Sequence, residues 1–225
     1  GEAVSDIDWS TRNLWRLVRH PDGEKVWLLA DEKNEERMNV VRLDLEGGGP
    51  AKLTDADYVY GFGVDADHSR LAYVARMGTE SPFASCLHVR TLAGGSDRKV
   101  VCDTGASKYT WGSPRFSPDA RYVFFNAHRE GDRKRGELLR VDLKAKRPRA
   151  EAVTESTVER RAPSMLRGWS GGAGFFRAND DGYWNLYRFR RDDGRIRQLT
   201  RFDEDVTSAV LTDDGILAVH RTPRG

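Results

Sequence analysis

Residues 111–125 read Trp111-Gly112-Ser113-Pro114-Arg115-Phe116-Ser117-Pro118-Asp119-Ala120-Arg121-Tyr122-Val123-Phe124-Phe125. A proline–aspartate turn here runs straight into an aromatic, β-branched strand. Proline presets φ and aspartate satisfies the tight turn with its own side chain, so the segment carries hairpin chemistry. The arrangement recurs. His20-Pro21-Asp22-Gly23 precedes Val26-Trp27-Leu28-Leu29, Asp65-Ala66-Asp67-His68 precedes Leu71-Ala72-Tyr73-Val74, and Thr212-Asp213-Asp214-Gly215 precedes Ile216-Leu217-Ala218-Val219. Asp22 to Asp67 is 45 residues, Asp67 to Asp119 is 52, and Asp119 to Asp214 is 95, or two steps.

Two further elements keep the same beat. A strand of the form apolar-apolar-Arg-apolar appears as Val40-Val41-Arg42-Leu43-Asp44-Leu45, as Leu138-Leu139-Arg140-Val141-Asp142-Leu143, and as Leu186-Tyr187-Arg188-Phe189-Arg190. Its missing copy falls on schedule at Cys86-Leu87-His88-Val89-Arg90, with the alternation shifted by one residue. Lys52-Leu53-Thr54-Asp55-Ala56-Asp57 recurs as Gln198-Leu199-Thr200-Arg201-Phe202-Asp203, 146 residues later, or three steps. Three independent elements sharing one period of about 49 residues identify a repeat architecture.

Each unit reads as strand, Asp/Gly turn, strand, variable loop, strand, Gly-rich or charged turn, strand. Four short antiparallel strands per repeat predict an all-β fold, a β-propeller of four-stranded blades. Dividing 225 residues by the repeat gives about four and a half blades, placed at 10–56, 57–105, 106–156, 157–204 and, in part, 205–225. Blade edges left unpaired invite aggregation, so the expectation is an incomplete ring, the first part of a longer polypeptide. A five-bladed ring closed by residues 3–9 is the alternative. No helical period stands out; the polar stretch from Asp31 to Met38 reads as a loop.

Composition narrows the function. Charged residues make up 32% of the chain, with 37 basic against 35 acidic, a balance that argues against a nucleic-acid partner. The basic runs Arg133-Lys134-Arg135 and Lys144-Ala145-Lys146-Arg147-Pro148-Arg149 read as solvated loops. The longest apolar runs, Val26 to Ala30 and Leu71 to Ala75, are too short for a membrane-spanning helix. No leader-type apolar run follows Gly1-Glu2-Ala3, and a cytoplasmic location is slightly favoured. Periplasmic or secreted placement stays open if a leader has been removed.

Cys86 and Cys102 lie almost symmetrically about Ala93-Gly94-Gly95, so a hairpin would make them cross-strand neighbours. Two buried free thiols are favoured over a disulfide, because nothing establishes an oxidising compartment. No metal-ligand spacing appears among His20, His68, His88 and His128; His20 and His68 read as surface turn residues. Asp55-Ala56-Asp57 and Asp203-Glu204-Asp205 lack a calcium-loop pattern. The expectation is no metal, no cofactor and no catalytic residue within the chain.

Gly168-Trp169-Ser170-Gly171-Gly172 matches the nucleophile elbow G-x-S-x-G, and Asp213, Asp214 and His220 follow in triad order. The elbow needs a buried strand before the serine and a helix after it. Here the serine lies in a turn slot of the repeat, so a glycine hairpin is the expected reading.

The Ser-Pro-Asp turn with its aromatic strand resembles the TolB-like (PD40) propeller repeats. Together with Lys52-Leu53-Thr54 and Asp180-Asp181-Gly182-Tyr183-Trp184-Asn185-Leu186-Tyr187, it is similar to the N-terminal propeller of the prolyl oligopeptidase (S9) family of serine peptidases. The resemblance spans residues 13–220. It implies a propeller that caps an α/β-hydrolase catalytic domain of the same polypeptide and admits only short peptide substrates. The dipeptidyl peptidase branch holds the substrate amine with paired glutamates in an Asp-Trp-x-x-Glu-Glu context. Glu35-Glu36 has the pair without the context and reads as a solvated loop. A non-enzymatic TolB-like propeller that binds proteins is the alternative function.

Overall fold

The computed structural model describes residues 13–31, 35–47, 49–78, 84–103, 107–110, 112–129, 132–153, 164–165, 169–180, 182–191 and 193–221. Every regular element among them is a strand. The first blade contains β1 (Leu14–Arg19), β2 (Lys25–Ala30), β3 (Asn39–Asp44) and β4 (Ala51–Lys52), adjacent in that order. The second contains β5 (Tyr58–Val64), β6 (Arg70–Met77), β7 (Ala84–Thr91) and β8 (Asp97–Cys102). In the third, β9 (Ser107–Tyr109) and β10 (Arg115–Phe116) both pair with β11 (Tyr122–Arg129), followed by β12 (Asp132–Asp142) and β13 (Ala150–Ala152). The fourth has β14 (Ser164–Met165), β15 (Ala173–Ala178), β16 (Asn185–Arg190) and β17 (Ile196–Gln198). A two-stranded sheet, β18 (Val206–Thr212) with β19 (Gly215–His220), is half a fifth blade. The chain divides into two compact units between Cys102 and Asp103, so the first two blades form one unit and the rest the other.

The turn chemistry does what the residues dictate. In the first blade the Gly23 N–H donates to His20 O and the His20 N–H to Lys25 O; His68, Asp65 and Arg70 repeat this, as do Ala120, Ser117 and Tyr122. The turn residue whose N–H reaches back in this way lies in the left-handed region: Gly23 at φ 78°, His68 at 56° and Ala120 at 50°. Only glycine occupies that region without a steric penalty, so two of the three turns carry strain.

An alanine marks the same register point in every complete blade. Ala30 faces Asn39, Ala75 faces Cys86, Ala127 faces Glu137 and Ala178 faces Asn185. Three residues earlier on the second strand, Trp27 faces Arg42, Phe124 faces Arg140 and Phe175 faces Arg188, while the second blade has Ala72 against Val89. The shifted alternation in residues 86–90 is therefore real. It places Tyr73 opposite His88 where the other blades have Leu28–Val41, Phe125–Leu139 and Phe176–Tyr187.

Within each compact unit, alternate side chains of one blade pack against the next. Trp27, Leu29 and Val40 meet Phe62, Leu71 and Ala75; Phe124 and Leu138 meet Phe176, Tyr187 and Phe189; Phe175 and Leu186 meet Ala209, Leu211, Ile216 and Ala218. Each large side chain buried this way contributes about 1.5–3 kcal/mol.

Two expectations are corrected. Cys86 and Cys102 are joined in a disulfide rather than left as thiols. A bulge makes Val100 an extra residue in β8, because His88 pairs with Lys99 but Leu87 with Val101, and this brings Cys102 directly opposite Cys86. Arg133-Lys134-Arg135 lies in a strand, not a loop: β12 extends back to Asp132, pairing with Arg129 across a register shift. Charge alone did not mark a chain reversal there. The run 144–149, by contrast, is a turn between β12 and β13.

Candidate functional site

Ser170, the serine of the G-x-S-x-G match, lies on a hairpin. Ser170 and Ala173 exchange both main-chain hydrogen bonds, at 3.1 and 2.9 Å, around Gly171 (φ 56°) and Gly172 (φ 72°). Two successive left-handed residues make the tight turn that joins twisted strands. Ser170 is exposed, and the chain continues into strand β15 rather than a helix. Gly168 lies outside the described residues. Trp169 is the residue of this motif with a structural task. Its Nε1 donates to Phe116 O at 2.9 Å, and its ring lies against Phe124 and Phe189 at 5.2 and 5.5 Å. Gly174 makes room for that packing, since a Cβ there would sit 2.6 Å from the Phe189 ring. Asp213 and Asp214 occupy the exposed β18–β19 turn. His220 stacks on Phe202 and has Nδ1 3.8 Å from Glu204 Oε2.

The remaining sequence candidates scatter. Glu35 and Glu36 are exposed, and Glu36 has φ 54°. His20 and His68 are half-buried rather than plain surface residues: with Trp27 they form three mutual ring contacts at 4.9–5.0 Å. Asp22, held at about 2, anchors this turn. Its burial works upward but is outweighed by hydrogen bonds from the Glu24 N–H, His20 and Lys25. Among the described residues no group of three or more His, Cys, Asp or Glu could hold a metal ion. No helix among them is long and apolar enough to cross a membrane.

What sequence reasoning missed is a partly buried polar group in the second blade. The Tyr73 hydroxyl donates to Asp97 Oδ2 at 2.5 Å. His88 Nδ1 lies 3.2 Å from Asp97 Oδ1 and Arg90 Nη1 3.8 Å from Oδ2. The His88 ring stacks on Tyr73 at 4.9 Å. Burial, followed by the Asp97 hydrogen bond and charge, pushes the Tyr73 hydroxyl far above its ordinary range. Burial would also raise Asp97, but hydrogen bonds from His88 and Tyr73 and the His88 and Arg90 charges prevail and hold it below the usual range. The signal for this cluster was the one-residue phase shift, which put His88 where the repeat calls for an apolar residue. Tyr73 packs in the core shared by the first two blades, so the cluster ties the last strand of the second blade to that core.

A pocket of about 70 Å³ on the first blade is lined by Ala30, Glu35, Arg37, Asn39, Val41 and Lys52. Sites for drug-sized ligands need several hundred Å³, so this pocket does not hold a peptide.

No protein-family model and no curated protein matches the chain. Solved structures do. A TolB from Acinetobacter baumannii is 22% identical with a TM-score of 0.60, over 97% of this chain and 49% of that one. A puromycin-hydrolysing peptidase of Mycobacterium tuberculosis is 17% identical with a TM-score of 0.68, over 92% of this chain and 35% of that one. Prolyl oligopeptidase B from Galerina marginata is 11% identical with a TM-score of 0.64, over 93% and 33%. The chain thus spans about half the length of the first and about a third of the others. The likeness is one of fold: the chain shares the β-propeller fold of the parts of those structures that it matches.

Proposed function

We propose that this chain is the substrate-gating propeller of a prolyl oligopeptidase-type serine peptidase, with the hydrolytic α/β-hydrolase domain supplied by other residues of the same polypeptide. The observation that carries this reading is the 0.68 TM-score against a peptidase over 92% of this chain, joined to a Ser170 that sits on a hairpin rather than an elbow. A rigid stack of blades filters by size: a short peptide reaches a nucleophile beneath it, and a folded protein does not. The test is to treat the polypeptide carrying this propeller with a serine-directed fluorophosphonate, and to compare its cleavage of short chromogenic peptides and of a folded protein. Labelling, with peptides cut and the folded protein spared, supports the reading. A polypeptide that takes no label and cuts neither sinks it.

The likeness to TolB, at 22% identity over 97% of this chain, favours a second reading, a non-enzymatic propeller that binds another protein. That reading expects no fluorophosphonate labelling and a stoichiometric protein complex in its place.

A further inference from the structure

The first and fourth blades close their outer edge with one and the same side-chain clamp. In the first, Asn39 Oδ1 accepts from the Thr54 hydroxyl and the Ala56 N–H, Asn39 Nδ2 donates to Ala56 O, and Thr54 Oγ1 accepts from the Val40 N–H. In the fourth, Asn185, Thr200, Phe202 and Leu186 make the same four bonds. The register of the alanines sets Cys86 of the second blade at the position of Asn39 and Asn185. With the bulge counted, Cys102 falls at the position of Thr54. The disulfide stands in the place of the clamp.

We propose that Cys86–Cys102 is a thiol–disulfide exchange site, a redox-operated latch on the outer edge of the second blade whose reaction partner is a dithiol reductant. Cys86 is buried at 2% exposure while Cys102 is half-buried, so attack has one direction. A thiolate of the dithiol adds to Cys102 Sγ, forming a mixed disulfide and expelling Cys86 as a thiolate. The second thiol then attacks the mixed disulfide, frees Cys102 and closes the reductant into its own disulfide. Two electrons pass to the protein, and the protons given up by the dithiol complete the two thiols. Reduction removes the bond that stands in for the clamp at this end of β8, where the Lys108–Asp103 pair, at 3.9 Å, lies just beyond Cys102. β8 is the last strand of its sheet, and two cysteine thiols cannot supply the donor–acceptor pairing of a carboxamide with a hydroxyl. The other end of β8 stays tied through Asp97 to His88 and Tyr73. The opening is local, confined to the stretch ending at Cys102, where the first compact unit ends.

Amide hydrogen exchange followed by mass spectrometry, on the protein held in oxidised or reduced dithiothreitol, reads this directly. Amides of residues 99–103 are expected to exchange on the order of a hundredfold faster after reduction, with β2, β11 and β15 unchanged and iodoacetamide labelling Cys102 before Cys86. A double variant, Cys86→Asn with Cys102→Thr, places the clamp residues in the latch. Its 99–103 segment is expected to match the oxidised protein and to ignore the reductant. Cys86→Ser with Cys102→Ser is expected to match the reduced one. Equal exchange of 99–103 in both redox states overturns the proposal. So does a disulfide reduced only together with exchange across every blade, or a clamp variant as open as the serine variant.

Discussion

The outer edges of the first and second blades solve one problem in two ways. A last strand is paired on one side only, and its end frays unless something besides the ladder holds it. The first blade uses four hydrogen bonds around Asn39 and Thr54. The second uses one covalent bond at the same register position and a Tyr73–Asp97–His88 group at the far end of the strand. Hydrogen bonds fix the native geometry at any redox poise. A disulfide acts largely by restricting the unfolded chain and is removable by a reductant. The difference separates a permanent fastening from a conditional one, within a repeat whose strands and turns are otherwise alike.

The sharpest way to break the comparison is to remove the permanent fastening. Asn39→Ala deprives the Ala56 N–H, the Ala56 carbonyl and the Thr54 hydroxyl of partners in a buried setting. A loss of about 3 kcal/mol is expected, and Asn185→Ala in the fourth blade should cost a similar amount. Denaturant unfolding checks both, and a cost under about 1 kcal/mol at either would show that the clamp does not hold the edge.

The seams provide the next contrast, polar in the second blade and aromatic between the third and fourth. Gly174→Ala drives a methyl group to 2.6 Å from the Phe189 ring, with an expected loss of about 2 kcal/mol. Phe189→Leu added to it should recover part of that loss, and thermal unfolding of the pair tests the recovery.

Asp97 makes the polar seam sensitive to acid. Its carboxyl is held below the ordinary value in the folded state, so its contribution is complete above the unfolded pKa of about 4 and fades as pH falls through the folded value. Because the group is partly exposed, Asp97→Asn is expected to cost only about 1 kcal/mol at pH 7. The variant should also show a shallower loss of stability as pH falls below about 4. An unchanged acid limb in its pH–stability profile would remove Asp97 from the account.

The smallest effect concerns the turns. Ala120 holds a left-handed conformation at φ 50° that Gly23 holds in the first blade. Ala120→Gly is expected to stabilise by about 0.5 kcal/mol, read as a small rise in the denaturant midpoint. His68→Gly should bring no gain, because the His68 ring packs against His20 and Trp27.

Much of this could be read from residue order. Pro118-Asp119 before Tyr122–Phe125, and Asp22-Gly23 before Val26–Leu29, announce turns and strands through local chemistry, and their spacing announces the blades. The hairpin at Ser170 was legible for the same reason, since Gly171 and Gly172 dictate backbone conformation by themselves. Arg133–Arg135 was misread because charge says little about whether a chain turns. Leu53-Thr54 and its copy Leu199-Thr200 were visible as a repeat, but the bonds of Thr54 and Thr200 to Asn39 and Asn185 were not.

By its order of residues alone the chain determined the propeller repeat and the Asp/Gly turns that carry it, because each depends on neighbours within a few positions; the extra strand β9 in the third sheet was not legible. Three-dimensional pairing decided the disulfide, the Asn–Thr clamps and the Tyr73–His88–Asp97 group. Those contacts join residues 9 to 24 positions apart, and a single extra residue in β8, Val100, sets which side chain faces which. A register shift of one residue exchanges the faces of a strand, and only the paired sheet reveals where it occurs.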